Sequence, residues 1–401
     1  MSRVLVLLPT SSYRTADFVA AASALGVDLV VASEEEPPLD LGDRFLRIDC
    51  GDPATAAAAI VDLADRTPID AVIAADDAGV VTAAMASAEL GLSGHTPQAA
   101  AATRDKLVMR ELLGAREVPQ PDFEPIHDPQ QVPAMSFPLV LKPRTGAASR
   151  GVLRVDDASE LDGAYSRVRR IADDLGESGP LLAESFVAGN EVALEGLVTV
   201  GRLTVLAVFD KPAAPQGPTF PETLLVTPSS HPPHVLAELE RVTSEAIAAL
   251  GLSEGPIHSE ARIDGEGRVH LLEIAARSIG GLCGRSLRFG LMGSSLEELI
   301  LAAALGRKPA SGRQPRASGV LMLPVEEEGV LVEVRGVEAA RAIEGITEID
   351  IAIPGGTRIE PLPEGDRYLG FIFAVGPDPD EVGRRLRKAA DLLAPVVQPV
   401  E

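Results

Sequence analysis

The chain has 401 residues, which is too long for one ordinary hydrophobic core and predicts two or three domains. Aromatic residues make up 3% and Trp is absent, which argues against base-stacking nucleic-acid sites. The formal charge of -23 argues further against a polyanionic partner, although it equally fits a feature that keeps the protein in solution. Two cysteines, Cys50 and Cys283, are too few for a disulfide framework and have no metal-ligand spacing, so a reducing, cytoplasmic location is predicted.

Short apolar strands alternate with Ala-rich helices over the first hundred residues, a pattern typical of a parallel sheet with helices on both faces. Strands are predicted at 4–8, 27–32 and 69–77, and a helix at 15–25. The first apolar run is too short for a signal peptide, and no stretch has the length of a membrane span, so no membrane partner is expected. The glycine pattern of dinucleotide sites is absent. Ligands in such sheets bind at the carboxyl ends of the strands, where the polar residues are Thr10, Ser11, Ser12, Asp76 and Asp77.

Two lysines in the next segment point to an anion. The pattern predicts a helix with Thr103 as its N-cap and Gly114 at its end, which places Lys106 in the first turn, where the helix dipole disfavours a cation. Lys142 ends the apolar strand 137–143 before a proline, and the Gly- and Ser-containing loop 146–151 follows. A bound phosphate explains this arrangement; the alternative is that each lysine lies at the surface with its aliphatic stem buried.

Residues 181–212 predict a strand, a turn and then an antiparallel hairpin that turns at Gly201, and a second hairpin is predicted at 255–277. A helix is predicted between them at 235–250 and another at 294–305. In the second hairpin a turn at Gly265–Glu266 pairs Ile263 with Arg268 and makes Glu260 and Glu273 diagonal neighbours on one face. Two carboxylates so close together require a positive charge, and a hard divalent cation such as Mg²⁺ supplies it. The alternative, which the hairpin alone leaves equally open, is a surface network with Arg262 and Arg277.

These pieces, taken in order, resemble the ATP-grasp superfamily over about residues 103–300. The segments that carry the resemblance are the helix with Lys106, VLKP (140–143), GAASRGV (146–152), LLAESFVAGNEVALE (181–195), IHSEARI (257–263) and HLLEIAAR (270–277). The resemblance implies an α/β and α+β multidomain fold. It has an N-terminal Rossmann-like parallel sheet, a central two-lobed ATP-grasp domain and a small C-terminal α+β domain. The expected bounds are 1–102 for the first domain, 103–312 for the second, with a small nucleotide-clamping lobe over about 106–184 and a large lobe over 185–312, and 313–401 for the third.

The resemblance also implies roles for individual residues. Lys106 and Lys142 match phosphate-contacting lysines, and the mobile phosphate loop corresponds to Gly146, Ser149, Arg150 and Gly151. The backbone of the segment Glu184, Ser185, Phe186 and Val187 matches the edge that holds adenine, and Glu191 matches the carboxylate that takes the ribose hydroxyls. Glu260 and Glu273 match the ligands of Mg²⁺ or Mn²⁺, and Arg277 matches an arginine that faces the reacting carboxyl group.

The segment EIAAR with its following glycines, GPTFPET (217–223) and His258 beside Glu260 is similar to the L-amino acid ligase branch, which makes dipeptides. Position 275 departs from the wider family, because many members have a metal-binding Asn where this chain has Ala275. Glu222 matches a substrate-anchoring carboxylate, and Gly280 and Gly281 leave room for substrate. His258 and Glu222 are candidates for the general base. The expected enzyme is an ATP-dependent carboxylate–amine ligase that acts through an acyl phosphate on amino-acid-like substrates, and a homodimer is expected. The alternatives are a carboxyphosphate-type ATP-grasp enzyme, of the carboxylase or purine-pathway kind, and a nucleotide-binding regulatory protein without turnover.

Overall fold

The computed structural model describes residues 2–10, 12–36, 44–128, 130, 134–212, 217–308 and 312–399. Its first layer is a four-stranded parallel sheet in the order β3-β2-β1-β4. The inner strand β1 is buried on both faces, which is why its sequence is continuously apolar rather than alternating. This confirms the predicted N-terminal parallel sheet; Ser11, predicted at one strand end, lies outside the described residues. The strands are β1 (Arg3–Leu7), β2 (Asp28–Ser33), β3 (Phe45–Arg47) and β4 (Ala71–Ala74), and the helices are α1 (Thr15–Leu25), α2 (Pro53–Arg66), α3 (Val80–Glu89) and α4 (Pro97–Ala102).

A second, antiparallel sheet has the order β5-β8-β6-β7 and is covered by one amphipathic helix. Leu161, Tyr165, Val168 and Ala172 of that helix recur at helical spacing and are buried in a common core with the apolar strand residues. The elements are α5 (Lys106–Gly114), β5 (Phe123–Ile126), β6 (Leu139–Lys142), β7 (Leu153–Val155), α6 (Leu161–Asp174) and β8 (Leu181–Ser185).

The largest sheet has eight strands in the order β13-β12-β9-β10-β11-β14-β18-β16, and a small sheet has the order β17-β15-β19. The large sheet continues across residue 312, where the sequence predicts a domain boundary, so the predicted central and C-terminal domains share one sheet; the boundaries themselves stay predictions. The strands are β9 (Asn190–Thr199), β10 (Arg202–Lys211), β11 (Leu224–Thr227), β12 (Glu254–Ile263), β13 (Val269–Ala275), β14 (Ala317–Leu323), β15 (Gly329–Arg335), β16 (Ile346–Ile351), β17 (Arg358–Ile359), β18 (Gly370–Gly376) and β19 (Ala394–Gln398). The helices are α7 (Pro233–Leu250), α8 (Leu296–Ala304), α9 (Val337–Arg341) and α10 (Pro379–Ala390). None of the helices in the described part of the chain combines the length and hydrophobicity needed to cross a bilayer.

The helix of Lys106 begins later than predicted. Asp105, not Thr103, is its N-cap, because the Asp105 carboxylate accepts hydrogen bonds from the backbone N–H groups of Leu107 and Val108, at 3.0 and 3.2 Å. Thr103 instead ends α4. Lys106 is therefore the first residue of α5.

The hairpin of β12 and β13 has a different register from the predicted one. Ile263 pairs with Val269 rather than Arg268, and Glu260 lies directly opposite Glu273 rather than diagonal to it. An irregularity follows Glu260, so the strands shift once more along the hairpin. The two carboxylates still share one face, as predicted, and their direct pairing brings them closer than a diagonal placement does.

Asp264 accounts for the longer turn. Its carboxylate accepts hydrogen bonds from the backbone N–H groups of Glu266 and Arg268, at 2.9 and 3.0 Å, which keeps those residues in the turn. Leu271 lies opposite Ala261 in this register, and both are buried with Ile274 in the apolar core on the other face.

Candidate active site

The two lysines predicted to contact phosphate lie where α5 meets the end of β6. Both are buried, with 8% of Lys106 and 7% of Lys142 exposed. Lys106 Nζ donates to the Gly146 carbonyl at 2.5 Å and lies 3.5 Å from Glu273 Oε1, and Lys142 Nζ lies 2.6 Å from Glu184 Oε2. Burial lowers the pKa of Lys142, and Glu184 opposes this effect. The structure thus concentrates positive charge beside the predicted phosphate loop.

Glu184 is a buried anchor for these cations. Its carboxylate accepts a hydrogen bond from Arg110 Nε at 2.7 Å as well as pairing with Lys142, and only 3% of Glu184 is exposed. Burial by itself would raise the pKa of Glu184, but Arg110 and Lys142 outweigh it and lower the pKa to about 2. Arg110 also donates to the Leu271 carbonyl at 3.2 Å, which joins α5 to β13. The Glu184 side chain is therefore charged, and Arg110 connects it to β13.

The backbone edge predicted for adenine is restricted by the sheet. β8 lies between β5 and β6 up to Ser185, so Glu184 and Ser185 lie inside the sheet rather than on a free edge. Phe186 and Val187 follow the strand, and the Val187 carbonyl accepts from Arg262 Nη1 at 2.9 Å. The Arg262 guanidinium also lies over the Phe186 ring, 4.9 Å from its centroid. Of the four residues predicted to hold adenine, Phe186 and Val187 are therefore the two whose backbone lies beyond the strand β8.

The loop 146–151 lies over the carboxylates of the large sheet. Ser149 shares a cavity of about 40 Å³ with Glu191, Lys211, Glu222 and Glu260. Ala148 and Ser149 have φ of 53° and 57°, a left-handed conformation that is uncommon for residues with side chains.

Two contacts tie this loop to the C-terminal region. The Gly151 N–H donates to the Pro363 carbonyl at 2.8 Å, and Arg150 Nε donates to the Glu364 carbonyl at 3.0 Å. The sequence had no signal for contacts over more than two hundred residues of chain.

Lys211, which the sequence analysis missed, is the centre of a carboxylate cluster. Its Nζ lies 2.8 Å from Glu191 and 3.1 Å from Glu260, and it also pairs with Glu222. Oxygens of the three carboxylates lie within 4.8 Å of one another, a spacing that suits a cation. A signal for Lys211 was present, because it ends an apolar strand before Pro212 as Lys142 does before Pro143.

The charges within this cluster are unequal. Burial lowers the pKa of Lys211, but Glu191, Glu222 and Glu260 outweigh it and raise the pKa well above its ordinary value. Burial raises the pKa of Glu222 to about 7, with Lys211 opposing and Glu260 adding to the rise. Burial also acts to raise the pKa of Glu260, but Lys211 and His258 hold it well below the usual range. Glu260 is therefore the charged carboxylate of the pair, and Glu222 is the one that takes up a proton.

The carboxylates of Glu260 and Glu273 are suitable ligands for the predicted metal ion. Glu260 and Glu273 face each other across β12 and β13, and 22% and 31% of their side chains remain exposed. Carboxylate oxygens on one open face are the ligands that Mg²⁺ or Mn²⁺ prefers. Ala275 is buried opposite His258 and offers no ligand atom. Glu273 is not among the three carboxylates gathered around Lys211, so Glu260 links the predicted metal pair to that cluster.

His258 lies between two carboxylates. Its Nδ1 pairs with Glu195, and its Nε2 lies 3.2 Å from Glu260 Oε1. Burial acts to lower the pKa of His258, but Glu195 and Glu260 outweigh it and raise the pKa to about 9. An imidazolium has no lone pair to accept a proton, so this arrangement favours a positioning role over the predicted role as general base.

Arg277 meets the N-terminal sheet. Its guanidinium lies 2.7 Å from Asp77 Oδ2, just beyond the carboxyl end of β4, and Arg104 lies 3.1 Å from the same carboxylate. Burial acts to raise the pKa of Asp77, but Arg277 and Arg104 outweigh it and lower the pKa. The polar strand end predicted in the first domain and the arginine predicted to face substrate are thus in contact.

The two predicted substrate glycines differ. A Cβ on Gly280 would have no heavy atom within 4 Å, so the space beside it is open. Gly281 has φ of 58°, and a Cβ there would lie 2.8 Å from the Phe371 ring. Gly281 is required by packing, and only Gly280 offers room for a substrate.

Three family models match the chain in order. They describe an ATP-grasp N-terminal domain over residues 19–94, an ATP-grasp domain over residues 135–286, and an L-amino acid ligase C-terminal domain 2 over residues 321–398. Among solved structures, an L-amino acid ligase from Bacillus licheniformis covers 99% of both chains with a TM-score of 0.83 and 24% identity. N5-carboxyaminoimidazole ribonucleotide synthetase from Thermotoga maritima covers 99% of this chain and 100% of its own, with a TM-score of 0.74 and 17% identity. These structural matches establish the fold, including the predicted arrangement of an N-terminal, a central and a C-terminal part.

Several curated relatives are ligases by name. L-arginine-specific L-amino acid ligase from Bacillus subtilis is 21% identical over 79% of this chain and 77% of its own length. Alanine–anticapsin ligase from Bacillus subtilis strain 168 is 26% identical over 55% of this chain, and the match spans about half, 51%, of that relative's length. The chain therefore carries, in order, an ATP-grasp N-terminal domain, an ATP-grasp domain and a C-terminal domain of the type found in L-amino acid ligases.

Proposed function

We propose that the protein is an ATP-dependent carboxylate–amine ligase. It would form an amide or peptide bond between amino-acid-like substrates through an acyl phosphate, with release of ADP and phosphate. The observation that carries the proposal is the convergence of two lysines and two acids around the loop 146–151, with Arg277 just after the end of β13. These residues are Lys106, Lys142, Glu260 and Glu273. Relatives that are named amino acid ligases support the choice of substrate class.

In this proposal the chain's own residues neutralise and orient the triphosphate. Lys106 and Lys142 offset phosphate charge from a buried position, where electrostatic interactions are stronger than in water. Arg110 and Glu184 keep Lys142 in place. Glu260 and Glu273 would hold Mg²⁺ or Mn²⁺, which supplies positive charge to the transferring phosphoryl group.

Arg277 would hold the substrate carboxylate, and Asp77 fixes the direction of its guanidinium. His258 would keep Glu260 charged and oriented rather than accept a proton. Glu222, with a pKa near neutral, is the better candidate to bind or deprotonate the incoming amine. The loop 146–151 over the cluster would exclude water, which otherwise hydrolyses an acyl phosphate. Small-molecule carboxylate and amine substrates, a homodimer and a cytoplasmic location complete the proposal.

Incubation with ATP, Mg²⁺ and pooled amino acids tests the function, with phosphate release and product masses as readouts. The expected result is ADP formation that depends on amino acids, accompanied by a dipeptide mass. Phosphate release stimulated only by bicarbonate would indicate the carboxyphosphate type, and ATP binding without turnover would indicate a regulator.

A matched pair of variants tests the metal assignment. Glu273→Gln should abolish turnover and leave nucleotide binding largely intact, whereas Glu266→Gln, in the exposed turn of the same hairpin, should leave both unchanged. Normal turnover in Glu273→Gln would contradict the assignment.

A further inference from the structure

A cavity of about 650 Å³ lies between the N-terminal sheet and the large sheet. Residues of β4, α3, the loop after α3, the β9–β10 hairpin, the start of β12 and the end of α8 line it. None of the residues assigned above to ATP, metal or substrates lines this cavity. Ala276, which lines it, is the neighbour of Arg277 in sequence. The cavity is therefore separate from the candidate active site.

The volume of the cavity and the apolar character of its lining residues are typical of a site for a small molecule. Ligand cavities typically measure about 300–1,000 Å³ and are mostly apolar with a few polar groups. The apolar wall includes Val72, Val80, Leu197, Val205, Phe289 and Ile300.

Two polar groups in the wall lack partners. Ser87 is 1% exposed, and its Oγ has no hydrogen-bond partner in the described structure. His95 Nδ1 accepts from the Ser253 N–H at 3.1 Å, and burial lowers the His95 pKa to about 4, so the ring is neutral at pH 7 with its proton on Nε2. His95 Nε2 is buried and likewise has no partner in the described structure, and a Cβ on the wall residue Gly255 would lie 3.5 Å from it. An N–H and an O–H are thus left without acceptors, which is unfavourable unless something binds there.

The third feature is a group of cations in the wall after α8: Arg307, Lys308 and Arg313. Arg313 is half-buried, and burial lowers its pKa. Its Nη1 donates to the Arg316 carbonyl at 3.0 Å, and no carboxylate pairs with it within the described ranges. A partly desolvated guanidinium without a carboxylate partner favours binding of an anion.

We propose that this cavity is a binding site for a small apolar carboxylate. The hydrocarbon part lies against β4, α3 and α8, and its oxygens accept hydrogen bonds from Ser87, His95 or Arg313. Arg313 and His95 Nε2–H can only donate, and the Ser87 hydroxyl can donate as well as accept. Glu254, a carboxylate in the wall, already accepts a hydrogen bond from the Val200 N–H at 2.9 Å. An acceptor-bearing anion therefore suits these donors better than an amine does. The site goes beyond the ligase reaction and does not depend on it.

The test uses the full chain with saturating ATP and Mg²⁺, and the fluorescent probe 1-anilinonaphthalene-8-sulfonate, which has an apolar body and one anionic group. The probe should bind, octanoate should displace it, and octylamine, which has the same chain length and the opposite charge, should not. Absence of binding, clearly tighter probe binding when ATP is left out, or equal displacement by octylamine would each overturn the proposal.

Variants locate the site. Ser87→Ala should weaken octanoate binding about threefold to tenfold without lowering the melting temperature, because the hydroxyl has no partner to lose. Arg313→Gln should weaken it about tenfold, whereas Arg316→Gln, an exposed neighbour outside the wall, should have no effect. Ala303→Leu, on a half-buried helix position in the wall, should reduce binding by filling the cavity. Unchanged octanoate affinity in both Ser87→Ala and Arg313→Gln would refute the assignment.

Discussion

Replacement of Glu184 by Gln removes the carboxylate that pairs with the buried cations Arg110 and Lys142. The Glu184 oxygens lie 2.7 Å from Arg110 Nε and 2.6 Å from Lys142 Nζ, and at most 8% of any of the three side chains is exposed. The two cations lower the Glu184 pKa from 4.5 to about 2 in spite of burial. At about 1.4 kcal/mol per tenfold change, this corresponds to about 3 kcal/mol of stability at neutral pH. A comparable loss is measured when one partner of a buried ion pair is removed.

Denaturant unfolding followed by far-UV circular dichroism measures the effect, because the chain has no Trp to report by fluorescence. Since the folded-state pKa is depressed, the contribution of Glu184 is fully present above pH 4.5 and is lost as the pH falls towards 2. Wild-type protein should therefore lose more stability over that window than Glu184→Gln. The exposed Glu266→Gln serves as the control and should unfold at the wild-type midpoint. The reasoning is refuted if Glu184→Gln and Glu266→Gln have the same midpoint at pH 7.

Three further predictions concern substrate, packing and metal. Asp77→Asn, which frees Arg277, should lower kcat/KM for the amino-acid substrate about tenfold and leave the KM for ATP unchanged in steady-state kinetics; equal changes for both substrates would contradict it. Gly281→Ala should destabilise the protein by about 1–2 kcal/mol in thermal or denaturant unfolding, because of its left-handed φ and the Phe371 ring. Gly280→Ala, with open space around it, should not. Removal of divalent cations with EDTA should abolish turnover, and Mg²⁺ or Mn²⁺ should restore it; full activity in EDTA would exclude the predicted metal.

The order and type of the elements were readable from the chain. Continuous apolar runs such as 4–8 are typical of strands buried on both faces, and the structure confirms the parallel sheet that they predict. The start of α5 was wrong by two residues, because Thr103 and Asp105 are both good N-caps and only the folded backbone selects between them.

The acids and lysines of the site were also singled out by the sequence, since charged residues at the ends of apolar strands are unusual. Their partners were not. Lys211 neutralises Glu191, Glu222 and Glu260, although these four residues are spread over about seventy positions of the chain.

Local sequence by itself determined which residue types lie on which strand, and side-chain alternation placed Glu260 and Glu273 on one face. It did not reveal the irregularity after Glu260, which changes the alternation along the hairpin. Only the tertiary structure decided which charges meet. The register of the hairpin places Glu260 opposite Glu273, and the packing of the N-terminal sheet against the large sheet brings Asp77 to Arg277. Ion pairs depend on distances of a few ångströms between groups far apart in sequence, and those distances are set by how whole sheets and helices pack.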